Sequence, residues 1–142
     1  MLIKQLSIFV ENRPGRLSAI TQLLAENDVN IKALSIADTR DFGILRLIVG
    51  NPTKAMEALK NENCTVSLTS VVGITVDDKP GTLANAVQIL YQNNISVEYM
   101  YAYNGKKEDK AFVILRVDNN DRAIEAFQEA GIQILTAEEV AD

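Results

Sequence analysis

Leu6-Ser-Ile-Phe-Val-Glu-Asn-Arg-Pro-Gly-Arg-Leu17, followed by a helical run and Asp28-Val-Asn-Ile31, is the stretch on which the fold turns. It occurs twice. Val10, Pro14, Gly15, Leu17, Gln22, Leu24 and Asn27 return as Val76, Pro80, Gly81, Leu83, Gln88, Leu90 and Asn93, all in the 66-residue displacement that separates Pro14 from Pro80. That many matches in one register mark two copies of a single module. Each copy takes about half of the 142 residues, near the lower size at which one core is stable, so two copies sharing an interface are expected rather than two separate beads. The boundary falls between them, giving domains 1–70 and 71–142.

Within the first copy, Leu6, Ile8 and Val10 alternate with Gln5, Ser7 and Phe9, the period of a strand with one buried face. Glu11 to Gly15 stops it. Asn12 is placed to cap the following helix, proline is tolerated in a first turn, and Gly15 serves either close backbone packing or a ligand's approach to bare amides. Leu17, Ile20 and Leu24 follow helical spacing and Glu26-Asn27-Asp28 ends the run. Then come strands over Val29–Ala37 and Gly43–Val49 around the polar tip Asp38-Thr39-Arg40-Asp41, a helix over Pro52–Asn61 and a strand over Thr65–Val72.

The second copy repeats the order. A strand over Val71–Val76 leads into Asp77–Gly81, a helix to Gln92, strands over Ile95–Tyr103 and Ala111–Val117 around Asn104-Gly105, a helix over Asp121–Glu129 with Gly131 at its end, and a strand over Ile132–Leu135. Ser67 to Val76 passes between copies with almost no linker. The expected fold is α+β: two ferredoxin-like βαββαβ modules joined edge to edge into one antiparallel sheet of about eight strands, with four helices on one face.

Composition narrows the function. The chain carries a formal charge of −5, which disfavours nucleic acid and anionic membrane surfaces as partners, since both need a concentrated basic face. The one basic cluster, Lys106, Lys107 and Lys110, is broken by Glu108 and Asp109 and reads as a solvated hairpin tip. Cys64 is the single cysteine, so neither an intrachain disulfide nor a cysteine metal cluster can form. The start lacks a secretory apolar region and no run approaches a membrane span, so a cytoplasmic protein is expected. The absence of histidine removes the commonest general base and metal ligand and argues against an enzyme.

Three further features carry little chemistry. Asp77-Asp78 lacks the further carboxylates that a Mg²⁺ site would need, and adjacent side chains of an extended segment point apart. Lys79-Pro80-Gly81-Thr82 lacks the ending of a phosphate loop. Tyr99, Tyr101 and Tyr103 share one strand face, where they line a pocket, cover the open side of the sheet or form a dimer contact. No metal or cofactor is expected.

The strand followed by Glu11-Asn-Arg-Pro-Gly-x-Leu17, the helix, and Val29-Asn-Ile31 resembles the ACT domain, the small amino-acid-sensing module attached to enzymes of amino-acid metabolism. The resemblance covers nearly the whole chain, twice, with no catalytic domain left over. It implies that paired domains hold a free amino acid at a shared edge, between the strand 1 to helix 1 loop of one domain and the start of strand 2 of its partner. Carried across by motif, the first copy's candidates are Asn12, Arg13, Pro14, Gly15, Arg16 and Leu17, with Asn30 and Ile31. Backbone N–H groups at the helix start would meet an α-carboxylate, and Asn12 or Asn30 an α-ammonium. The second copy's candidates are Asp78, Lys79, Pro80, Gly81, Thr82 and Leu83, with Ser96 and Val97. Here Asp78, Thr82 and Ser96 replace Asn12, Arg16 and Asn30, so the two sites should differ in affinity. Asp78 either binds an ammonium group or caps a helix.

The resemblance thus implies a stand-alone sensor that passes its signal to a partner or to its own assembly state. The alternatives are a detached regulatory subunit of an amino-acid biosynthetic enzyme and, disfavoured, an enzyme without histidine chemistry. A homodimer or a metabolic enzyme is the expected partner. Asp77, Asp78 and Glu98 lean toward a ligand with a nitrogen-bearing side chain, and histidine is the first guess because a sensor gains by lacking the residue it senses.

Overall fold

The computed structural model describes residues 2–38, 40–105 and 107–141, with Asp38 described by its backbone alone. Thr39 of the first hairpin tip and Lys106 of the basic cluster lie outside the described residues. Contacts divide the chain into two compact units. One comprises Lys4–Thr69 with the chain's end from Val140; the other comprises Ser70–Glu139 with the chain's start through Ile3.

In the first unit β1 (Ile3–Glu11), α1 (Arg16–Glu26), β2 (Ile31–Asp38), β3 (Phe42–Val49) and α2 (Pro52–Asn61) lead into β4 (Thr65–Asp77). The strand order is β2-β3-β1-β4, with β3 antiparallel to both β1 and β2. Beside β1, the Ser7 and Thr69 hydroxyls meet at 3.1 Å. Alternation sets the buried face: Leu6 and Ile8 of β1 and Leu45 and Leu47 of β3 point into one core with Ile20 and Leu24 of α1 and Ala55 and Leu59 of α2.

The second unit repeats this with the latter part of β4, α3 (Thr82–Gln92), β5 (Val97–Tyr103), β6 (Lys110–Val117), α4 (Asn120–Glu129) and β7 (Gln133–Leu135). Its strand order is β5-β6-β4-β7, and all three neighbour pairs are antiparallel. Val72, Ile74, Val113 and Leu115 build the strand side of its core, and Ala86, Leu90, Ala123 and Phe127 the helix side. Both units therefore have the ferredoxin-like order expected of them.

Two counts differ from expectation. The described residues form seven strands, because β4 is one continuous strand serving as the last strand of one module and the first of the next. A fifth helix, α5 (Ala137–Val140), follows β7. It is started by a capping box: the Thr136 N–H donates to Glu139 Oε1 at 3.2 Å and the Glu139 N–H donates to Thr136 Oγ1 at 3.3 Å. The tyrosines of β5 are half-buried on the sheet face turned away from α3 and α4, with Tyr103 packed on Phe112 at 5.2 Å between ring centroids. Burial and the nearby Glu139 carboxylate push the Tyr103 hydroxyl pKa up. Among the described residues no helix is long and apolar enough to cross a membrane.

Candidate functional site

Each module makes the same turn between its first strand and first helix. The Asn12 N–H donates to Asp41 O at 2.9 Å and the Arg13 N–H to Glu11 O at 2.9 Å; in the second module the Asp78 N–H donates to Asp109 O at 2.8 Å and the Lys79 N–H to Asp77 O at 2.9 Å. Gly15 and Gly81 then take the left-handed conformation, with φ of 90° and 93° and ψ of −17° at both. A Cβ at either would meet nothing within 4 Å, so the dihedral, and not crowding, calls for glycine.

Gly15 and Gly81 are themselves the N-caps of α1 and α3. Asn12 and Asp78 are not, which corrects the capping role expected of Asn12 and open to Asp78. The Pro-Gly pair inserts a turn between them and the helix, and Asn12 Nδ2 donates instead to Arg40 O at 3.2 Å. A glycine cap has no side chain to fold back, so the amides of Leu17 and Ser18, and of Leu83 and Ala84, find no acceptor among the described residues. The other long helices are closed. Asn51 accepts from the Lys54 N–H at 3.1 Å at the start of α2, and Asn119 accepts from the Arg122 N–H at 3.1 Å at the start of α4.

Only part of the expected residue set comes together within a module. Asn12 to Gly15 form one exposed turn that runs into the first helical residues Arg16 and Leu17, and Asp78 to Gly81 another that runs into Thr82 and Leu83. Asn30 and Ile31 lie beyond the far end of α1, about 16 Å along the axis of an eleven-residue helix. There the Asn30 carbonyl accepts from the Gly50 N–H at 3.0 Å and Ile31 packs against the core. Ser96 and Val97 are placed likewise beyond α3, with the Ser96 N–H donating to Asp118 Oδ1 at 3.2 Å. These strand starts can meet a loop only if it belongs to another module.

The second loop opens on a cleft of about 510 Å³, and Lys79, Pro80, Gly81 and Thr82 form one wall with Asn85. Thr75, Val76, Asp77 and Lys110 form its floor, and Gly131, Ile132 and Gln133 its far wall. It exists because β7 is only three residues long and pairs with β4 at Gly73 to Thr75, leaving the end of β4 without a neighbour on that side. The Thr82 hydroxyl staples the loop by donating to Asp77 O at 2.7 Å and Lys79 O at 3.0 Å. Asp77 is ion-paired with Lys110 across the β4–β6 ladder, and that hydrogen bond and charge hold its carboxyl below the usual range. Thr75 is 6% exposed and its hydroxyl has no hydrogen-bond partner.

The first module's depression, about 300 Å³, runs along α1 between Arg16 and Glu26 and over Glu62 and Cys64, and includes Arg16 alone of the expected residues. Thr75, Asn85, Lys110 and Gly131 to Gln133 were not expected from sequence as site residues, Lys110 having been read as part of a solvated hairpin tip and Gly131 as a helix end. The available signal was the repeat itself: Thr75 is a polar residue at the position held by Phe9 in the first copy.

Comparison with known proteins agrees with this architecture. The chain shares 42% identity with a Bacteroides thetaiotaomicron protein of known crystal structure, covering 99% of this chain and 96% of that one with a TM-score of 0.93. At 19% identity it shares a fold with the ligand-free regulatory subunit of aspartate kinase from Thermus thermophilus (TM-score 0.63, 91% of this chain, 93% of that one). At 16% the same holds for the Thermus flavus regulatory subunit (TM-score 0.61, 90% and 92%). No curated protein matches the chain. The family model of the ACT domain pair matches residues 1–142 from end to end, and the protein belongs to that family.

Proposed function

We propose that this protein is a regulatory module that binds a free amino acid and conveys its occupancy by altering contacts with a partner or its own assembly. The observation that carries this is the twice-repeated glycine-capped helix start, which presents open amides where α2 and α4 present asparagine caps. Open amides at the positive end of a helix dipole complement a carboxylate. Membership of the ACT domain pair family supports the same reading. So does the absence of histidine from the sequence, which turns it toward binding and away from catalysis. Asn12 to Leu17 and Asp78 to Leu83 are the loops proposed to face the ligand, and Asn30, Ile31, Ser96 and Val97 would complete a site only from a different module.

Signal transfer follows from linkage: a ligand shifts only states for which its affinity differs. A second reading, a subunit held by a biosynthetic enzyme, draws on the fold and matching length of the aspartate kinase regulatory subunits. Thermal unfolding of extensively dialysed protein against each of the twenty amino acids tests the first reading. A true effector at about 100 times its dissociation constant adds about 2.7 kcal/mol, and silence from all twenty overturns it. Co-purification of a larger chain at fixed stoichiometry favours the subunit.

A further inference from the structure

We infer that Asn104-Gly105, between β5 and β6, is a self-modification site, where the backbone closes on the asparagine amide and reopens to an isoaspartyl link that the turn has no room for. The chemistry needs three conditions. The amide must be free to rotate, and Asn104 is exposed with no hydrogen bond among the described residues. The following nitrogen must be free to attack, and the Gly105 N–H has no acceptor among the described residues. That nitrogen must also be unscreened, and glycine alone brings no side chain beside it.

The fold itself keeps glycine at this place. Gly105 is not one of the glycines with positive φ, so crowding and not the dihedral excludes a side chain. A Cβ there would lie 1.7 Å from Cε2 of Phe112, whose ring is 7% exposed and packed on Tyr103. No other asparagine of the chain precedes a glycine. Several are also tied down: Asn27 and Asn93 donate to the Leu23 and Ile89 carbonyls, and Asn51 and Asn119 accept helix amides. The first module's hairpin tip, Asp38-Thr39-Arg40-Asp41, holds no asparagine at all.

The step balances with water as the only co-reactant. The Gly105 nitrogen loses its proton to a solvent base and bonds to Asn104 Cγ, and the side-chain nitrogen leaves as ammonia with its electron pair and a proton from water. Water then opens the cyclic imide. Attack at Cγ gives aspartate; attack at the main-chain carbonyl gives isoaspartate, whose backbone runs through Cβ and Cγ and is longer by one carbon. The Phe112 ring that leaves no space for a Cβ on Gly105 opposes that extra carbon too.

The test stores the full chain in mildly alkaline buffer, folded and in urea, and follows each asparagine by peptide mass spectrometry, with isoaspartate detected by an isoaspartyl methyltransferase. Asn104 should convert first, at a folded rate within about tenfold of the unfolded one, and Asn104→Gln should take no methyl label. The methylatable fraction should unfold at a lower temperature than fresh protein, whereas Asn104→Asp, a change of charge on an exposed side chain, should unfold with the parent. An amide kept in the folded chain but lost in urea, or another asparagine converting first, overturns the site. A methylatable fraction that unfolds with the parent overturns the claim that the turn has no room for the longer backbone.

Discussion

The two modules share a backbone turn down to its dihedral angles yet surround it with opposite chemistry. At the first loop, Phe9 and Phe42 are 47% and 46% exposed and stack on one another, and the Arg13 guanidinium reaches back to Glu11 at 3.0 Å between two exposed side chains. At the second, the same register positions hold Thr75, Lys110 and Asp77, and a polar cleft opens beside them. Duplication preserved what the backbone needs, glycine in the left-handed region and a helix with bare amides, and left the strand side chains free to diverge. Function in such a pair is therefore read from where the copies differ, and fold from where they agree.

The largest expected effect tests whether the copies are equal in their cores. Phe127 lies eight residues beyond the Asn119 cap, as Leu59 lies eight beyond Asn51, and both are fully buried. Phe127→Ala should cost about 3–5 kcal/mol and Leu59→Ala about 2–5 kcal/mol by urea denaturation, because each removes packed volume from a core that cannot close over it. A loss below 1 kcal/mol at Phe127 would show that the second core collapses around the gap.

Next in size is the strain at the shared turn. Gly15→Ala and Gly81→Ala should each destabilise by about 1–2 kcal/mol, since the new Cβ clashes with its own backbone at positive φ while meeting nothing else. The comparison predicts equal costs. Unequal ones in calorimetry would mean that the two turns relax differently despite their matched dihedrals.

A smaller effect of opposite sign separates the modules. Thr75→Val should raise the stability of the ligand-free protein by about 1 kcal/mol, because it replaces an unpaired buried hydroxyl with a methyl group of the same shape. Destabilisation in the same denaturation assay would show that the hydroxyl is satisfied in solution and that the two floors differ less than the structure indicates.

How much of this was legible in the sequence follows from the same contrast. The repeat, the order of elements and the two special glycines were legible because each is a local pattern: alternation, helical spacing, and Pro-Gly at a fixed interval. The continuous β4 was partly so, since Thr65–Val72 and Val71–Val76 already overlapped as strands. The cap was misassigned because Asn12 has a good capping side chain and only the turn geometry shows that it stands too far from α1. The cleft was invisible, since it depends on register. Asp77 faces Lys110 while Glu11 faces Phe42 because the second module spans two more residues between the paired strands, and the far wall arises from how late β7 begins.

The smallest effect is the ion pair that only the second module can make. Lys110 lowers the Asp77 pKa first by hydrogen bonding and then by its charge, with Lys79 adding a weaker pull in the same direction. A carboxyl whose folded pKa is depressed contributes stability above its unfolded pKa, and that contribution is lost as pH falls through the folded value. Both groups are solvent-exposed, so the contribution is small and should shrink with added salt. Carboxyl ¹³C NMR during acid titration should find Asp77 titrating below the ordinary aspartate range, and Lys110→Met should return it toward that range.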